Sequence, residues 1–202
     1  MHEVSIPISD ETIRSLKVGD SVLLSGVMLT GRDAVYKWLR QTRPPQGDDL
    51  EVLKAIRPLL NGGVIYHCGP VVAGLDTKNY RFVAAGPTTS SREEPYQADV
   101  MRFFNLKGVV GKGGMGPKTL EACQQVPSVY FHAVGGAATL IAQSVQRVRG
   151  VYKLDFGVPE AIWVIEVKDF PVVVTMDAHG NSLHAQVERQ SKEALDRLLA
   201  AS

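Results

Sequence analysis

Residues 108–133 read GVVGKGGMGPKTLEACQQVPSVYFHA, and their order decides the fold class. Gly108-Val109-Val110 is a short apolar run bounded by glycine, the pattern of a buried strand. The glycine loop from Gly111 to Gly116 follows, and Pro117 suits the first position of a helix over residues 118–125. Residues 129–133 return to a strand. Strand, loop and helix alternate here, which marks an α/β protein.

The same grammar extends in both directions. Upstream, residues 3–8 alternate like a strand, and Ser9 and Asp10 offer caps for a brief helix. Residues 17–20 read as a turn, 21–29 as a strand and 32–40 as a helix with Ala34, Val35, Trp38 and Leu39 near one face. Residues 44–49 are expected as an exposed loop, 64–68 and 80–85 as strands, and 93–104 as a helix that tolerates Pro95 in its first turn. Downstream, a helix is expected over 137–148, strands over 162–167 and 172–176 joined at Phe170-Pro171, and a hairpin turn over 177–181. A charged helix begins at Gln186. With no repeat, low-complexity stretch or long linker, the chain reads as a single mixed α/β domain.

Composition narrows the function classes. The 202 residues are 45% apolar and 21% charged, a mix that can bury a real core. Twenty-two basic residues against 21 acidic give a net charge of +1, which argues against a broad basic face for nucleic acid. No apolar run approaches the roughly 18 residues of a membrane span. The charged N-terminal stretch lacks an apolar signal core, so a cytoplasmic location is expected. Cys68 and Cys123 form no CxxC pair, and two thiols are too few for a structural zinc site or an iron–sulfur cluster. They are expected as small, partly buried side chains, and no metal is expected on this chain.

Three loops at the carboxyl ends of predicted strands carry cations or hydroxyls. The first, 29–33, places Arg32 where a helix begins, and a helix N-terminus favours anions. A guanidinium there matches a carboxylate bidentately, although an ion pair with Asp33 or another nearby acid is the plainer use. The second, 85–92, sets Thr88, Thr89, Ser90 and Ser91 before Arg92. Helix capping explains one hydroxyl but does not require four, or the arginine. The third, 111–117, adds Lys112 among four glycines that let a backbone approach an anion. It fits G-x-G-x-x-G, but the next strand ends in His132 and Ala133 rather than in the acid that a dinucleotide ribose needs. Together the loops look like half of a site for a small dicarboxylate.

Quoted in order, GVMLTGRDAVYKWL, YHCGPVV, AGPTTSSR, VVGKGGMGPKT, GVPEAIWVIEVKDFP and DAHGN resemble the β subunit, or C-terminal domain, of the class I fumarate hydratase and L(+)-tartrate dehydratase family of iron–sulfur hydro-lyases. The resemblance covers residues 1–185 and leaves 186–202 as a charged C-terminal helix. It implies a swivelling β/β/α fold and a partner α subunit. That partner would carry a [4Fe–4S] cluster on three cysteines, with one iron open to substrate, and the expected assembly is α2β2. It also implies that Arg32, Arg92 and Lys112 bind substrate carboxylates and that Thr88 takes the carbon-bound proton. The expected reaction is the reversible hydration of fumarate to (S)-malate, with L(+)-tartrate dehydration as the alternative. A non-catalytic dicarboxylate-binding module is the reading from another class. Glu93 departs from the family, which often has methionine there, and His67 and Cys68 replace aromatic or small residues.

Overall fold

The short strands at 64–66, 108–111 and 129–132 are buried on both faces, and that fixes the architecture. The structure, a computed structural model, describes residues 1–41 and 45–200. In chain order the elements are β1 His2–Ile6, α1 Asp10–Ser15, β2 Ser21–Thr30, α2 Asp33–Gln41, α3 Asp48–Leu60, β3 Val64–Tyr66, β4 Val71–Ala73 and β5 Arg81–Ala84. Then come α4 Glu94–Phe104, β6 Gly108–Gly111, α5 Pro117–Gln125, β7 Val129–His132, α6 Ala138–Gln143, β8 Val145–Tyr152, β9 Ile162–Met176 and α7 Leu183–Ala200. β2, β3, β6 and β7 pair in parallel, side by side. The long β9 runs antiparallel to both β7 and β2, so these five strands close into a ring. β1 adds beside β2, β8 beside β9, and β4–β5 forms a separate small ribbon.

Alternation sorts the side chains. Val64, Tyr66, Val110, Val129, Phe131, Ile165 and Val174 join one buried cluster drawn from the ring strands. Ile65, Val109, Tyr130 and Val164 face the other way and pack beneath the helices with Tyr36, Leu39, Ile56 and Met101. Strands buried on both sides read as near-continuous apolar runs, which is why residues 108–110 and 129–131 were recognisable. The molecule is the expected mixed α/β domain.

Several expectations need correction. The helix expected over 137–148 stops at Gln143, and Val145–Tyr152 is a strand. Two bulges, at Val145/Arg147 and Val148/Gly150, each insert a residue. The strand therefore turns Val145, Val148 and Val151 toward the same cluster with a spacing of three, which imitates a helix. The two expected strands at 162–167 and 172–176 are one element. β9 bulges opposite Leu24/Gly26, where Asp169 takes a left-handed φ of 53° and gives its N–H to Ser25 Oγ at 3.0 Å. The loop expected over 44–49 ends early: Asp48 and Asp49 already form the first turn of α3, and residue 44 lies outside the described residues. The turn after β9 is present, with a single rung between Met176 and Ser182, and it leads directly into α7.

Candidate functional site

The parallel strands deliver their following loops to one edge of the ring, and backbone bonds stitch those loops together. Gly31 N–H donates to Tyr66 O at 3.0 Å, joining the Arg32 loop to β3. Thr88 N–H donates to His67 O at 2.7 Å. Lys112 N–H donates to Thr88 O at 3.2 Å, and Ser90 N–H to Lys112 O at 3.0 Å, a parallel rung between Thr89 and Lys112. Arg32 reaches over Gly69, where an added Cβ would meet its guanidinium at 2.4 Å. Arg92 reaches Asp33 in an ion pair. The structure thus brings Arg32, Thr88, Arg92 and Lys112 into one neighbourhood.

Their charges are not equally free. Arg32 is partly buried, and its Nε lies 3.2 Å from Glu160 Oε1. Glu160 also accepts the Ala34 N–H at the start of α2, at 3.2 Å. The plainer reading of Arg32, an ion pair with a nearby acid, therefore holds geometrically, and the acid is Glu160. Arg92 shares Asp33, while no acid among the described residues pairs with the Lys112 ammonium. A cation tied by one edge keeps other N–H groups for a carboxylate.

Capping does not account for the hydroxyls. Neither the short helical turn Ser90–Arg92 nor α4 has a side-chain cap at its N-terminus. Thr88 is half-buried, and its hydroxyl has no hydrogen-bond partner among the described residues. Ser90 is fully buried and bonded elsewhere.

The glycine loop departs from its expected role. The N-terminus of α5 is already occupied by an anion from this chain. Glu94 accepts from Gly116 N at 2.8 Å, Lys118 N at 3.1 Å, Thr119 N at 3.2 Å and Thr119 Oγ1 at 2.6 Å. A dinucleotide pyrophosphate would need that same helix end, so the G-x-G-x-x-G reading fails. Gly114, at φ 78°, serves packing, since a Cβ there would strike the His184 ring at 2.6 Å. The Lys112 end of the loop is the part bonded, through its backbone, to Thr88 and Ser90.

The implied cluster does not fit these residues. Cys68 and Cys123 belong to different buried clusters on opposite faces of the strands. Burial pushes each thiol up to about 12, so both stay protonated, whereas a metal takes the thiolate. Among the described residues no three His, Cys, Asp or Glu side chains are grouped to hold a metal ion. No helix among them is long and apolar enough to cross a membrane.

Sequence reasoning offered Asp33 as a partner for Arg32, whereas it pairs with Arg92, and it missed Glu160 and Glu94 as partners of the site. Glu160 stands inside the quoted GVPEA motif, but its role depends on a fold that returns it to Arg32, 128 positions away by numbering (160 − 32).

Residues 2–187 match the family model described as fumarase C-terminus. The chain belongs to that family. Over 191 residues it is 50% identical to a protein of Geobacillus stearothermophilus provisionally named a class I fumarate hydratase, covering 95% of this chain and 35% of that protein. It is 35% identical over 197 residues to the L(+)-tartrate dehydratase subunit beta of Escherichia coli strain K12, covering 97% of this chain and 92% of that subunit. A Methanocaldococcus jannaschii protein provisionally given the same subunit name is 37% identical over 197 residues, with 95% of each chain covered. The chain thus spans about a third of the first relative and nearly all of the other two. Within the fumarase C-terminus family, the same unit occurs inside a longer chain and as a chain of its own.

Proposed function

We propose that this chain is the β subunit of a two-chain hydro-lyase and supplies the carboxylate-binding half of the active site. The observation that supports the reading is that backbone bonds set the loops of Arg32, Thr88, Arg92 and Lys112 side by side, with a Thr88 hydroxyl that has no hydrogen-bond partner among the described residues. The three cations hold the two carboxylates of a C4 substrate and stabilise the negative charge that grows as the carbon-bound proton leaves. Thr88 Oγ1 accepts that proton. A threonine hydroxyl is a poor base alone, and the cations around it favour its alkoxide. The [4Fe–4S] cluster of the proposed enzyme belongs to the α partner, because the thiols of this chain do not suit it.

The proposed reaction is the hydration of fumarate to (S)-malate and its reverse. The higher identity to the relative named for fumarate hydratase favours it over L(+)-tartrate dehydration, the second reading. The proposed assembly is α2β2 in the cytoplasm, with residues 1–185 as the family unit and 186–202 as an appended charged segment. The test is anaerobic co-expression with a three-cysteine α subunit, followed by turnover assays on malate and tartrate. Malate turnover well above tartrate turnover supports the reading, and the reverse order selects the second. A complex that binds a dicarboxylate but dehydrates neither leaves only a binding module.

A further inference from the structure

Behind the loops runs a line of buried side chains that no substrate-facing role uses. The Tyr130 hydroxyl, on β7, donates to Ser90 Oγ at 2.8 Å. Ser90 Oγ lies 2.8 Å from His67 Nδ1, and His67 Nε2 lies 2.8 Å from the Tyr36 hydroxyl. Tyr36, His67, Ser90 and Tyr130 are all 0% exposed. The line touches every loop of the site. Ser90 sits between Thr88 and Arg92 and holds the Lys112 carbonyl, while the His67 carbonyl holds the Thr88 N–H. Tyr36 gives its N–H to the Arg32 carbonyl at 3.0 Å. Gly111 leaves room for the crossing, since a Cβ there would sit 1.8 Å from Ser90 Oγ.

Counting protons assigns the direction of each bond. Burial holds His67 well below its ordinary 6.5, at about 3, so the ring is neutral, with one N–H and one lone pair. With the proton on Nδ1, Ser90 Oγ would receive two donors and its own O–H would point at no acceptor. An unsatisfied buried donor is unfavourable. With the proton on Nε2, the bonds run one way: Tyr130 to Ser90, Ser90 to His67, His67 to Tyr36. The Tyr36 proton then faces the far end of the line. Glu93 and Gln97, which also faces the His67 ring, lie there fully buried, and neither has a side-chain oxygen in a well-formed hydrogen bond.

We infer that His67 is a positioning residue, held as the Nε2–H tautomer, whose two ring bonds lock the Thr88–Arg92 loop against the helix that follows Arg32. The catalytic consequence rests on the function proposed above, whereas the tautomer does not. A loop displaced by about 1 Å loses on the order of a hundredfold in rate. His67→Phe keeps the ring and removes both bonds. His67→Asn keeps an acceptor near the Nδ1 position, and His67→Gln instead puts its amide near Nε2.

The test has two arms. The first is 15N NMR of the histidines in the full chain between about pH 5 and 8. The expected result is a neutral His67 ring with the proton on Nε2 throughout. A proton on Nδ1, or an imidazolium appearing in that range, overturns the inference. The second is kinetics of the assembled enzyme well below its melting temperature. His67→Phe is expected to lower kcat for the dicarboxylate by about tenfold to a hundredfold, with His67→Asn recovering most of the loss. Equal kcat in the two variants, or kcat unchanged while only Tm falls, makes His67 a plain core residue and overturns the inference. If His67→Phe does not fold, His67→Asn must exceed His67→Gln in kcat; the reverse order overturns it. A wild-type complex that turns over no dicarboxylate defeats the proposed function, and the NMR arm alone then decides the tautomer.

Discussion

Lys112 carries the least compensated charge of the site, and the two arginines are each held by one acid. Arg32→Ala, Arg92→Ala and Lys112→Ala should each lose about 1.5–3 kcal/mol of transition-state stabilisation, roughly tenfold or more in kcat/KM. Near wild-type kinetics in all three would remove the carboxylate clamp. Thr88→Ala should leave Tm nearly unchanged, because its hydroxyl bonds nothing among the described residues, while turnover falls by about 10² to 10⁴. Thr88→Ser should keep part of the activity. Solvent-deuterium exchange of the substrate's carbon-bound proton checks the base role, and exchange at the wild-type rate in Thr88→Ala contradicts it. Glu93 provides a pH test. Burial, and then the Asp33 carboxylate beside it, lifts its carboxyl from 4.5 to about 8. A folded-state value raised above the unfolded one contributes stability below about pH 4.5, and that contribution is lost as pH rises toward about 8. Glu93→Gln should therefore flatten the decline of Tm between about pH 5 and 8. Parallel Tm profiles for variant and wild type would show that Glu93 stays ionised in the fold.

Helix α5 begins on a carboxylate that the chain itself provides, so a single substitution can uncap it. Glu94 satisfies three backbone N–H groups and the Thr119 hydroxyl. Glu94→Ala should cost about 1.5–3 kcal/mol in urea unfolding, since bonds to a charged acceptor are the stronger kind. A loss within about 0.5 kcal/mol, the range of ordinary surface changes, would mean that water replaces the cap. Sequence alone could not locate this contact, because Glu94 and Gly116 meet only after α4 and α5 pack. The local signals behaved differently. β6, α5 and β7 were legible because each carries its own pattern and glycine boundaries. α3 was hidden because Pro58 interrupts its helical run and only Ile56 and Leu60 are buried. β8 was misread because its bulges convert a period of two into a spacing of three. The positions of Arg32, Thr88, Arg92 and Lys112 were legible as loops at strand ends, and their suggested roles came from the order of the motifs. The His67 line was not legible, since its members are 23, 31 and 40 positions apart.

At the scale of the whole molecule, the ring of strands and the β4–β5 ribbon bring together loops with three cations and a Thr88 hydroxyl that has no partner among the described residues, and the two thiols are buried. Under the proposed function that arrangement is a half-site. The measurement that tests it most directly is malate dehydration, followed anaerobically, by the chain alone reconstituted with iron and sulfide and by the chain assembled with its cluster-bearing α subunit. The account predicts a colourless, inactive chain and an active complex. Cluster absorbance and malate turnover by the chain alone would contradict it.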